Sequence, residues 1–212
     1  MNFSNRLRVL LVIAAAGLAA PTYADDRPSD PFGSHTIELN EGPLIAIWKY
    51  LRDQVLHDKL RIQFCVEFSK EPCPPVFKLM KVVEEARENE GKALLGHLNR
   101  SINLMIKPVP GNWTGALETM KLGNGDCKAY SIAKYVAALE AGISLNHVRA
   151  VIVHNTRHHE DHMVIAVYED DQWLILDNLT MLLLPDSEKR DYEPMAVLDH
   201  SGVRRYAVFW FE

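Results

Sequence analysis

Cys127 stands alone in "NGDCKAYSIAKYVAALEAG", residues 124 to 142, between a Gly-rich turn and a helix-like run. A thiol placed there can act as a nucleophile. Asp126 is a favoured helix N-cap type, so Cys127 falls in the first helical turn, where unpaired backbone N–H groups and the positive end of the dipole favour a thiolate. Lys128 adds a second positive charge, and both effects lower a thiol pKa. The same N–H groups can stabilise an oxyanion on an attacked carbonyl, with Gln63 and Asn124 as side-chain candidates for a further donor. Against this stand two ordinary roles for a cysteine: half of a disulfide, or a small buried core residue.

A cysteine nucleophile needs a base, and the base needs an orienting group. Two strand-like runs, "HMVIAVY" and "WLILD", are joined by the polar loop "EDDQ", residues 169 to 172. Pairing Tyr168 with Trp173 sets Ala166 opposite Ile175 and Val164 opposite Asp177. Alternation then puts His162, Val164 and Ala166 on one face of the sheet with Trp173, Ile175 and Asp177. His162 and Asp177 become diagonal neighbours with Cα atoms roughly 7–8 Å apart. A carboxylate at that range holds the imidazole in one tautomer, ready to take the thiol proton. The expected catalytic residues are therefore Cys127, His162 and Asp177, and a one-residue bulge in the loop would break the set. The competing site is "HNTRHHEDH", with His154, His158, His159 and His162, whose density suits zinc or copper. It contains no thiolate and reads as a solvated loop between strands, so no metal is assigned to it.

The elements that must position these groups follow from apolar spacing. Leu44, Ile47, Trp48, Leu51 and Val55 recur at helical spacing behind Pro43, as do Val76, Leu79, Met80 and Val83, and then Leu94, Leu98, Ile102 and Met105. "KPVPGNW" reads as a loop. Ile132, Tyr135, Val136 and Leu139 mark the helix that carries Cys127, with Gly142 as its stop. Beyond it the period changes to two, and "VRAVIV", "HMVIAVY", "WLILD" and "RRYAVFWF" read as strands. Helices followed by strands predict an α+β domain with helices packed on an antiparallel sheet.

The chain opens with Arg6 and Arg8, an apolar run from Val9 to Ala20, and small residues up to Ala24. That is the layout of a secretory signal peptide over residues 1–24, and the mature protein is expected outside the cytoplasm. Residues 25–40 are polar and rich in turn formers and are expected to be a flexible leader, followed by a single domain over 41–212. The formal charge is −5, and losing Arg6 and Arg8 makes it more negative. With no basic cluster, nucleic acid is excluded as a partner. Three cysteines are an odd number for an oxidising compartment. Cys65 and Cys73, close together in "CVEFSKEPC", are the simple disulfide, although spacing alone leaves pairing of either with Cys127 open.

Taken together, "FCVEFSKEPC", "GNWTGALETMKLGNGDC", "NGDCKAYSIAKYVAALEAGI", "HMVIAVY" and "WLILDNL" resemble the bacterial transglutaminase-like cysteine proteinases, whose best-known members are the LapG-type periplasmic proteases. The resemblance covers most of the mature chain. It implies a papain-like/transglutaminase-like fold, with Cys127 as nucleophile, His162 as base and Asp177 as orienting acid. It also implies a protein substrate of the surface-adhesin kind and a membrane-bound cyclic-di-GMP receptor as partner. Members with that role bind calcium through acidic residues flanking the cysteine, in a pattern like Asp-Cys-Glu-Asp. Here Asp126 is kept but Lys128 and Ala129 follow the cysteine, and no cofactor is expected. The same acyl-thioester chemistry fits a transglutaminase, and the Lys128-Ala129 departure suits a non-catalytic binding module on the same fold.

Overall fold

The computed structural model describes residues 28–207 apart from 70 and 112. The expected signal peptide and the end of the "RRYAVFWF" run lie outside the described residues. In chain order the elements are β1 (Thr36–Glu38), α1 (Pro43–Glu67), α2 (Pro74–Arg87), α3 (Gly91–Met105), β2 (Lys107–Pro108), α4 (Ala116–Leu122), β3 (Asn124–Gly125) and α5 (Cys127–Glu140). The strands β4 (Val148–Asn155), β5 (Glu160–Glu169), β6 (Gln172–Leu176), β7 (Leu184–Pro185), β8 (Tyr192–Asp199) and β9 (Gly202–Tyr206) follow. The fold is α+β, as the order of periodicities predicts.

Seven strands form one sheet in the order β1-β9-β8-β4-β5-β6-β7, with every neighbouring pair antiparallel. Its helix-facing residues include Ala150, Met163, Ile165, Val167, Leu174 and Leu176, which join the helices in one core cluster. Helix α5 lies at the centre of that core and is buried without interruption from Ala129 to Ala138. A helix enclosed on every side has little freedom to shift, and this fixes where its first residue, Cys127, must lie. Cys65 in the last turn of α1 is bonded to Cys73 at the start of α2, so the helix hairpin is closed covalently and Cys127 is the free thiol.

The opposite face of the sheet carries Val151, Val153, Val164, Ala166, Trp173, Ile175, Tyr192, Val197 and Tyr206. An apolar face of this extent must be covered, and residues expected to be a flexible leader cover part of it. The Trp173 indole N–H donates to Ser29 O (2.8 Å) and the Tyr206 hydroxyl to Pro31 O (2.9 Å). Asp30 accepts from Arg204 and, with Asp199, neutralises the fully buried Arg149 guanidinium. β1 then pairs with β9, Thr36 opposite Tyr206. The 25–40 leader is thus corrected from Pro28 onward, because Asp30 is a buried counter-charge and the fold begins before residue 41.

Candidate active site

The turn into α5 is built from glycines. α4 stops at Gly123, whose φ of 66° is the left-handed C-cap conformation. β3 pairs in parallel with β2. At Gly125 a Cβ would lie 2.4 Å from the Ala129 Cβ, so no larger residue lets the chain pass this close to α5. Asp126 then caps the helix: its Oδ1 accepts from the backbone N–H of Lys128 (3.0 Å) and Ala129 (3.3 Å). Cys127 is the first helical residue and is partly exposed.

The thiol is docked against β5. β5 pairs with β6 only from Ile165↔Leu176 onward, so on that side Met163 has no strand partner. Its N–H favours the ionised Cys127 sulfur, and its carbonyl accepts from the Ser131 hydroxyl at 2.8 Å. Residues 127 and 131 are one helical turn apart on the same face, which lets α5 use both peptide groups at once.

The register expected for β5 and β6 is present: Tyr168 is opposite Trp173 and Ala166 opposite Ile175. His162 and Asp177 accordingly meet, both buried, with the His162 Nε2–H donating to Asp177 Oδ1 at 2.9 Å. That leaves Nδ1 for the Cys127 thiol, which lies close enough to raise the His162 pKa. Asp177 is held at both oxygens. Oδ1 also accepts from Leu179 N (3.0 Å), and Oδ2 accepts from the Lys189 ammonium (2.9 Å) and the Tyr192 hydroxyl (2.6 Å). Asn103 on α3 donates to the Asp177 carbonyl at 2.8 Å. The sequence reading missed Ser131, Lys189, Tyr192 and Asn103. Each is separated from its partner by a stretch with no periodic link, and only the tertiary fold joins them.

These contacts set the charges. Burial alone would raise the Cys127 pKa, but the His162 hydrogen bond and charge, the Met163 N–H and the Lys128 ammonium together bring it below the ordinary thiol value. Burial alone would lower His162, but bonds and charge from Asp177 and Cys127 carry it up to about 9. Burial also disfavours ionised Asp177, yet its donors, His162 first, hold it well below the usual carboxylate range. These shifts all run toward a thiolate–imidazolium pair steadied by a carboxylate, the charge state of an activated cysteine nucleophile.

Other sequence candidates lie elsewhere. Gln63 is exposed on α1 and lines a groove with Leu139 and Glu140, at the far end of α5 from Cys127. The Asn124 amide is turned to the Leu122 carbonyl. Asp126 uses the Lys128 and Ala129 N–H groups, so of the first-turn donors the Cys127 N–H is the one left to face a developing oxyanion. In the histidine-rich hairpin, His154 pairs with Asp161 (3.0 Å) and His162 with Asp177. Among the described residues no group of three or more His, Cys, Asp or Glu is placed to hold a metal.

Residues 60–196 match the family model of the bacterial transglutaminase-like cysteine proteinases. No match is found among curated proteins. Among solved structures, LapG of Legionella pneumophila superposes with a TM-score of 0.58 at 21% identity, covering 69% of this chain and 86% of that one. The calcium-bound form of the same protein gives 0.58 at 20% identity, covering 72% and 89%. At these identities the agreement is one of fold.

Proposed function

The chain belongs to the bacterial transglutaminase-like cysteine proteinases, and from that premise we propose that it is an exported cysteine endopeptidase in which Cys127, His162 and Asp177 form the catalytic triad. One observation carries this reading: a buried imidazole is bonded to a carboxylate at 2.9 Å, and its pKa is raised by that carboxylate and by a thiol at a helix N-terminus.

In the proposed reaction the Cys127 thiolate attacks a peptide carbonyl, while His162 holds the thiol's proton on Nδ1. The Cys127 N–H faces the oxyanion that forms. The tetrahedral intermediate collapses as His162 gives its proton to the leaving amine. Water, deprotonated by His162, then attacks the thioester; the C–S bond breaks, a new C-terminal carboxyl group is released, and the Cys127 thiolate and protonated His162 are restored. Asp177 stays ionised throughout and fixes the imidazole's orientation. Its low pKa and four donors support that role.

The proposed substrate is an exported protein of the surface-adhesin class, and the proposed regulator is a cyclic-di-GMP receptor of the inner membrane. The signal-peptide layout of residues 1–24 supports a periplasmic location, and the resemblance of the chain's motifs to the LapG-type proteases is what supports the substrate class. One of the LapG structures is calcium-bound. For this chain we assign no calcium.

A proteome-derived peptide library tests the activity. Incubation with the mature protein should yield new N-termini, found by mass spectrometry, that are absent with Cys127→Ala. Crosslinked products with ammonia release in place of new termini would make the protein a transglutaminase.

A further inference from the structure

The residues beside Cys127 do not fit calcium, and they show what takes its place. Calcium seeks about six to eight oxygen ligands. Asp126 commits Oδ1 to two backbone N–H groups, and its Oδ2 is paired with the Lys128 ammonium. Position 128 thus offers a cation and position 129 a methyl group. A dication approaching Asp126 would have to displace Lys128 and then meet the repulsion of its charge.

Lys128 is more constrained than a surface lysine. Its side chain is 25% exposed and that of Asp126 16%, so the pair is partly withdrawn from water. The ammonium lies 5.6 Å from the centroid of the Trp113 ring, within cation–π range. Trp113 belongs to the "GNW" segment before α4. The ammonium therefore joins three separate pieces of chain at one point: that segment, the Asp126 cap and the first turn of α5. Its charge also contributes to keeping the Cys127 thiol below its ordinary pKa.

We propose that the Lys128 ammonium is the resident cation of this site, a covalently attached charge that organises Asp126 and the start of α5 so that no divalent ion is needed. The inference rests on the proposed function for what the site serves, whereas the cation itself can be tested without any substrate. Purified mature protein is compared in EGTA and in millimolar calcium chloride, by thermal melting and by calorimetric titration with calcium alone. The wild type is expected to melt at the same temperature in both and to release no binding heat. Lys128→Met is expected to melt lower, and Lys128→Arg close to wild type, because charge is what the site requires. The double variant Lys128→Glu, Ala129→Asp is expected to gain a calcium-dependent rise in melting temperature. Calcium binding or calcium stabilisation of the wild type would overturn the proposal, as would a double variant indifferent to calcium. An inactive protein that still melted independently of calcium would count against the proposed peptidase while upholding the resident cation.

Discussion

The Tyr192 hydroxyl lies 2.6 Å from Asp177 Oδ2, the carboxylate oxygen that His162 does not use. Lys189 reaches the same oxygen at 2.9 Å, and its ammonium sits 4.0 Å from the centre of the Tyr192 ring. Asp177 is therefore clamped from behind by β8 and the segment preceding it. These two residues position the carboxylate that bonds His162.

Tyr192→Phe removes one donor and keeps the ring. The expected result is a fall in kcat/KM of about tenfold, the scale of one hydrogen bond to a charged group. The pH profile should also move. A carboxylate less neutralised from behind pulls harder on the imidazolium, so the alkaline limb shifts upward, and Lys189→Met shifts it the same way. A residue that only packed would lower stability and leave the limb where it was.

Activity should depend on pH as the thiolate–imidazolium pair dictates. kcat/KM is expected to rise as the Cys127 thiolate forms, below the ordinary thiol range, and to fall as pH passes about 9, where His162 loses the proton owed to the leaving amine. The same shift carries a stability term. His162 is raised from 6.5 to about 9, so its contribution is complete below 6.5 and is lost as pH rises through about 9. Rate measurements across pH 5–11 on a library-derived peptide check the first statement (roughly the working range for such profiles). Chemical denaturation over the same range checks the second.

Lys134 gives a prediction of opposite sign. It is 1% exposed on α5, its ammonium has no hydrogen-bond partner among the described residues, and burial, opposed only by the Asp177 charge, lowers its pKa to about 7. The unfolded chain holds that proton more tightly, so this group makes stability rise with pH between about 7 and 10.5. Lys134→Met should stabilise the protein by on the order of 2 kcal/mol at pH 6, because a buried unpaired charge is replaced by an apolar chain of similar length. The gain should shrink as pH rises toward 10. Denaturant melts of both proteins at several pH values check it.

How far the sequence carries can be judged from particular residues. The β5–β6 hairpin was legible because its turn pins parity. Asp170 and Asp171 both adopt positive φ (49° and 59°), the conformation of a two-residue hairpin turn that Asp tolerates, so no bulge intrudes. That single turn brings His162 to Asp177. The stripes of α1, α2, α3 and α5 were legible for a related reason, since each buries one face or more in a common core. β8 was not legible: Pro194 and Glu193 interrupt its alternation, and its pairing with β4 shifts register between Ile152 and Val153. Tyr192 and Lys189 were lost with it. Helix α4, seven residues long, is too short to show a stripe, and Asp30 looked like a solvated turn residue because its charged partners, Arg149 and Arg204, lie more than a hundred positions away.

The most direct test of the account is the rate at which iodoacetamide labels Cys127 near neutral pH, with and without His162→Ala. The disulfide between Cys65 and Cys73 leaves Cys127 as the reporting thiol. Wild-type Cys127 should react faster than a free peptide thiol, and His162→Ala should slow it by about tenfold or more, as expected when a paired thiolate reverts to a thiol. Labelling of the wild type no faster than a peptide thiol, or unchanged by His162→Ala, would contradict the claim that this imidazole activates this sulfur.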